Sequence, residues 1–230
     1  MFTTHSNQPF SGRQWVLLVC FHALAAFGQG DAGAPPRIVL DQAVASVEGK
    51  VITASQLDFE ARVLLVNAGG LEAAFAPLDH EVLSKSLNAV LDQRLATLEA
   101  DKIDAYAVDQ AEVDKAITTF RGRFATDERF RLFLERHETD MNDLGQVLRR
   151  TLRAQRAIDG RLRLKAQVSE SEARQYPSQH PELREQPIEA VRQKLFSQRF
   201  ALLMREELNQ ARRQADVRLL GPYAPKGAHP

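Results

Sequence analysis

A mainly α fold carrying a small antiparallel sheet is predicted by three observations. First, apolar residues recur at helical spacing through most of the stretch from residue 54 to residue 214, in runs separated by capping residues. Second, these runs follow a tight hairpin pattern: Ala-Val-Ala-Ser-Val at 43–47, a Glu48-Gly49-Lys50 turn, then Val51 and Ile52. Gly49 supplies the positive φ that a short hairpin loop requires. Third, Asp-Val-Arg-Leu-Leu at 216–220 alternates after the last helical run and supplies a third strand, since a two-stranded hairpin alone is marginal in water. About six helices are expected between hairpin and strand.

The chain has 230 residues, 30 Lys+Arg against 30 Asp+Glu, so its size suits one domain and no overall field points to nucleic acid. Arg13 precedes an apolar run at 15–27, and Gly- and Pro-containing sequence follows it. The run is short for a bilayer span and reads as a secretory signal, with cleavage near Gly28; an uncleaved anchor is the alternative. Residues 1–28 are thus expected to be a signal peptide and 29–40 a flexible leader. The one cysteine, Cys20, falls inside the signal, so the mature chain would hold no thiol for disulfides, catalysis or metal ligation.

Each helix has its start signal. Thr53 with Gln56 forms a capping box, with Ile52 and Leu57 as its hydrophobic staple, and Gly69-Gly70 stops the first run. Pro77 and Asp79 open a second helix bearing Leu83, Leu87, Val90, Leu91, Leu95 and Leu98. Asp109 with Glu112 is a second capping box, stapled by Val108 and Val113. Thr126 caps a short helix with Phe130, Phe133 and Leu134; a long helix starts near Thr139 or Asp140. Ser169 with Glu172 reads as a third box. Pro187 is placed at the first position of the last helix, lined in part by Ile188, Val191, Leu195, Leu202 and Leu203. Residues 177–186 read as a loop, and 221–230 as a disordered tail.

The segment 43–58, Ala-Val-Ala-Ser-Val-Glu-Gly-Lys-Val-Ile-Thr-Ala-Ser-Gln-Leu-Asp, together with the returning strand at 216–220, resembles the N-terminal chaperone domain of the SurA family of periplasmic proteins. The middle has the same order: capped helix at 108–117, short aromatic helix, long Arg-rich helix around Leu144 to Leu152. The resemblance covers 41–220, divided into an N-terminal part, 41–167, and a C-terminal helix and strand, 168–220. It implies a periplasmic holdase whose partners are unfolded exported polypeptides, including outer-membrane protein precursors. Family members with prolyl isomerase activity insert a parvulin-type domain of about a hundred residues where this chain has only the 177–186 connection, a loop length. No isomerase activity is therefore expected.

No catalytic, metal or cofactor motif emerges from the residues. The six histidines show no metal-binding helical spacing, and no His-Glu-x-x-His, Gly-x-Ser-x-Gly or phosphate loop occurs. His137, near a helix end, reads as a cation meeting the negative pole of the dipole. Arg149, Arg150, Arg153, Arg156, Arg161, Arg163 and Lys165 form a basic row. It reads either as a solvated face paired with carboxylates elsewhere, or as weak attraction to an anionic membrane surface or acidic client segments. Phe120, Phe124, Phe130 and Phe133 lie within fourteen residues, interleaved with arginines. At least half are expected in the core. The rest, with Met141, are expected to line an apolar client groove, because non-directional burial tolerates many sequences. The expected function is a chaperone without enzymatic activity or cofactor. The alternatives are a prolyl isomerase with an unrecognised site and a dedicated assembly subunit.

Overall fold

The computed structural model describes residues 41–102, 105–183 and 185–225. The expected signal and leader, Cys20 and the last five residues of the expected tail lie outside the described residues. Eight α-helices and a three-stranded antiparallel sheet are present among those described.

Strands β1 (Ala43–Val47) and β2 (Lys50–Thr53) form the hairpin. Glu48 and Gly49 have φ of 49° and 75°, the pair of positive values a type I′ turn requires. Lys50 already pairs with Val47, so the loop holds two residues rather than three. Strand β3 (Val217–Leu219) pairs with β1 in the register Ala45 to Leu219 and Val47 to Val217, giving the order β2-β1-β3. The junction is locked twice: Glu48 N–H donates to the Asp216 carbonyl at 2.9 Å, and Asp216 N–H donates to the Glu48 carboxylate at 2.8 Å.

Helix α1 (Ala54–Asn67) starts at the full Thr53–Gln56 capping box, and both staple residues, Ile52 and Leu57, are buried. A helix that the sequence reading did not anticipate comes next, α2 (Leu71–Phe75). Buried Arg62 holds it to α1, donating to the carbonyls of Ala74 and Ala76 while both its other nitrogens engage Asp58. Then come α3 (His80–Lys102), α4 (Gln110–Arg121), α5 (Asp127–Arg136) and α6 (Met141–Leu162), the last three capped by Asp109, Thr126 and Asp140.

Helix α7 (Glu170–Gln179) continues through Pro177, and a 3₁₀ turn covers Pro181–Leu183, so the connection read as a loop is largely helical. Pro177 has no N–H to give the Ala173 carbonyl, so the helix loses one rung there and ends two residues later. Ser169 caps α7, but the box is half made: the Glu172 carboxylate is drawn to Arg199 on α8 (Ile188–Gln214). Pro187 is the N-cap of α8 rather than its first helical residue.

The apolar residues gather at four packing centres, one of which, Ala173, Leu183, Val191 and Leu195, joins α7 to the start of α8. The hairpin packs Val44, Val47 and Ile52 on Leu57, Leu87, Val90, Leu91 and Leu95. A phenylalanine core joins α1, α2, α4, α5 and α6. A thin seam, Ala96, Ala154, Ile158 and Leu162, joins α3 and α6 to α8. The expected disordered tail is corrected at its start: Gly221–Tyr223 forms a 3₁₀ turn, and Tyr223 stacks on His80 at 5.1 Å. Gly221 has φ +55°, and a Cβ there would stand 2.7 Å from Gln42 Nε2.

Candidate functional site

The four phenylalanines expected to supply a client surface are all interior. Phe120, Phe124, Phe130 and Phe133 are at most 7 % exposed, so the expectation that some would be solvent-facing is corrected. Their rings meet at centroid distances of 5.3–6.4 Å, mostly tilted or edge-on, the geometry aromatic quadrupoles favour. Phe59 from α1 and Phe75 from α2 join them. Five helices draw on this cluster, and that demand absorbs every ring. Met141 is exposed, but it is the first residue of α6, about 15 Å along the helix from Thr151, where an open apolar groove begins.

That groove lies along α8. Of the 27 residues of this helix only Val191 and Leu195 are buried. Beyond them Phe196, Phe200, Met204 and Leu208 recur every four residues, and all are only half covered. Phe200, Met204 and Leu208 form one wall of the groove, whose volume is about 440 Å³. Its other walls come from Ala89, Gln93 and Ala96 on α3, and from Thr151, Ala154 and Ile158 on α6. Small residues on α3 and α6 leave the depth that larger ones would fill. A depression of about 340 Å³ shares Asp92, Met204 and Leu208 with the groove and prolongs it toward Asn88 and Arg205.

The two carboxylates that line the groove, Asp92 and Asp159, are paired. Arg212 reaches Asp92 at 2.8 Å, Arg163 reaches Asp159 at 3.0 Å, and Arg161 bridges the Ala96 carbonyl to Glu207. The lining left to a ligand is therefore mostly apolar. It is also adaptable, because Met204 is unbranched and polarizable. Such a surface binds by burial without directional demands; each apolar side chain fully buried there contributes about 1.5–3 kcal/mol.

The basic row on α6 is a set of braces. Arg150 reaches Glu60, Arg153 reaches Asp101, Arg156 reaches Glu112 and Arg161 reaches Glu207. These bonds tie α6 to α1, α3, α4 and α8. Carboxylates elsewhere in the fold thus answer most of the row.

His137 differs from its sequence reading. It is the C-cap of α5, packed edge-on against Phe133 at 5.2 Å, with Nε2 buried and unpartnered among the described residues. Burial lowers its pKa, helped by the nearby Arg62 cation and opposed by Asp58. The neutral imidazole, not the cation, belongs to the folded state at pH 7. Because the folded pKa lies below the unfolded one, near 6.5, its contribution is complete above that value and lost as pH falls below it. The melting temperature should fall between pH 7.5 and 5.5, and His137→Leu should reduce that slope. Equal slopes in the two proteins would assign the pH dependence to other groups. The lowered carboxylates, Asp41 at about 2 among them, act only in more acidic solution.

Among the described residues no cluster of three or more His, Cys, Asp or Glu is placed to hold a metal, and no helix is long and apolar enough to cross a membrane. The sequence matches no family model and no curated protein.

Proposed function

We propose that this chain is a holdase chaperone of the SurA-like kind. It acts on unfolded exported polypeptides in the periplasm, outer-membrane protein precursors among them, and has no isomerase activity. The observation that carries this reading is the open apolar groove along α8, with its half-covered Phe200, Met204 and Leu208 and its two paired carboxylates. Its order of capped hairpin, helices and returning strand supports the same reading, as does the apolar run at 15–27 that suits export. Clients would enter as extended or locally helical apolar segments and leave without chemistry. Transient occupancy lowers the concentration of free aggregating chains.

The test is suppression of aggregation of several unrelated denatured proteins, measured by light scattering. The wild-type chain should suppress it at near-stoichiometric amounts, and Phe200→Ser with Met204→Ser should lose most of that effect while keeping the helical spectrum. Activity toward a single protein only would favour a dedicated assembly subunit. Unaltered suppression by the double variant would remove the groove from the function.

A further inference from the structure

The strongest electrostatic irregularity in the molecule lies away from the α8 groove, beneath the hairpin. Glu60 on α1 is almost wholly buried, and one of its oxygens, Oε1, accepts from both Arg94 at 2.7 Å and Arg150 at 2.6 Å. Its other oxygen has no partner among the described residues, and neither do the buried Nη1 of Arg94 and Nε of Arg150. One carboxylate thus faces two guanidiniums, with donors left over. Buried polar groups without partners are costly to keep, and the two spare guanidinium N–H groups are donors that an incoming acceptor can satisfy.

Room for such an acceptor exists. A cavity of about 630 Å³ opens beside the trio, lined by Arg94 and Arg150, by Arg153 and Lys50, and by the apolar Val47, Val51 and Leu98. Asp101 engages Lys50 and Arg153, and Glu48 is held by the backbone of Asp216. Arg94 and Arg150 share the single carboxylate of Glu60 among the described residues. Burial disfavours the charged form of Arg150, against the pull of Glu60, and an incoming anion would relieve that imbalance.

The cavity also borders a strand whose outer edge has no partner among the described residues. β2 is an edge of the sheet, and Lys50 and Ile52 make its hydrogen-bonded pairs with β1. In antiparallel pairing the intervening residue, Val51, turns its N–H and C=O outward, and its side chain is 53 % exposed at the cavity mouth. An apolar strip, an outer strand edge and a cationic pocket therefore adjoin.

We propose that this cavity is a second polypeptide site, which takes the carboxylate of an acidic segment paired in extended form along the outer edge of β2. The proposal rests on the reading of the chain as a binder of non-native polypeptides, and gives acidic stretches of a client a place apart from the apolar groove. Backbone pairing with Val51 supplies affinity without sequence demand. Arg150 and Arg94 supply the preference for a carboxylate through charge-assisted hydrogen bonds.

The test uses the full chain and two fluorescein-labelled peptides, Thr-Val-Thr-Asp-Val-Thr-Val and the same peptide with Asn for Asp, followed by anisotropy. The Asp peptide should bind about tenfold more tightly than the Asn peptide, and Arg150→Gln should erase the difference. Val51→Pro should weaken both peptides. Its ring removes only an outward N–H, so the hairpin ladder keeps its bonds and the variant remains informative if Arg150→Gln fails to fold. Equal affinity for the two peptides overturns the carboxylate assignment. Insensitivity to Val51→Pro, with free acetate competing as well as the peptide, overturns the strand-pairing assignment in favour of a small-anion site. Peptide binding without aggregation suppression would sink the holdase reading and keep this site; the reverse would sink this site alone.

Discussion

Phe133→Ala should destabilise the protein by about 3–5 kcal/mol, the usual cost of deleting a fully buried ring that its surroundings cannot replace. Phe133 has no solvent exposure and touches the rings of Phe59, Phe75, Phe120, Phe124 and His137. Those neighbours come from α1, α2, α4, the α4–α5 connection and the end of α5, so the hole cannot collapse by a shift of one helix. Leu132 beside it is 52 % exposed and serves as the control: Leu132→Ala should change stability by no more than about 0.5 kcal/mol. Urea unfolding compares the two. A Phe133→Ala protein within about 1 kcal/mol of wild type would mean that the aromatic core does not bear on global stability as its geometry implies.

The second large effect is expected at Glu60. Removing one member of a buried ion cluster leaves uncompensated charge, typically at a cost of about 3–5 kcal/mol. In this cluster the arginine side chains keep 20 % and 36 % of their surface in solvent, so the guanidiniums have an outlet. Glu60→Ala should therefore cost nearer to about 2–3 kcal/mol, at or below the lower end of that range. Glu60→Leu combined with Arg94→Met and Arg150→Met should recover most of the loss, because the triple change removes the charges as well as their partner. Recovery would mark the trio as kept for something other than stability, whereas a triple variant as unstable as the single one would make the trio structural. Both proteins can be compared by urea midpoint and by peptide anisotropy.

The local signals in the sequence were faithful guides. Thr53 and Gln56, Asp109 and Glu112, Thr126 and Ser169 each start a helix where their side chains can accept from its first N–H groups. The Glu48-Gly49 turn and the alternation at Val217–Leu219 place all three strands. What escaped was tertiary. Helix α2 has no side-chain cap and is held from a distance by Arg62, so its own five residues carry little evidence of it. Glu172 has the spacing of a capping box, but a cation 27 residues away competes for its carboxylate. The phenylalanines outnumber what α4 and α5 alone would bury, but five helices share their core.

The groove was hidden for a related reason. Phe196, Phe200, Met204 and Leu208 form a stripe that reads like any core-facing face, and its four-residue repeat could have been found. Periodicity shows which side of a helix is apolar. It does not say whether the neighbouring helices are bulky enough to cover it, and here α3 and α6 present alanines at that place.

The central strand of the sheet has one partner a few residues away and another about 170 residues away. Such a seam cannot close early. A chain that emerges from a ribosome or a membrane pore beginning at its N-terminus delivers β1 and β2 first and β3 almost last, so for most of that time one flank of β1 stays unpaired and open to strangers. The long loop to be closed also slows the final step relative to the formation of the individual helices. Closure by β3 thus acts as a completeness check: Val47 gains its second neighbour only when the rest of the chain, α8 included, has already arrived.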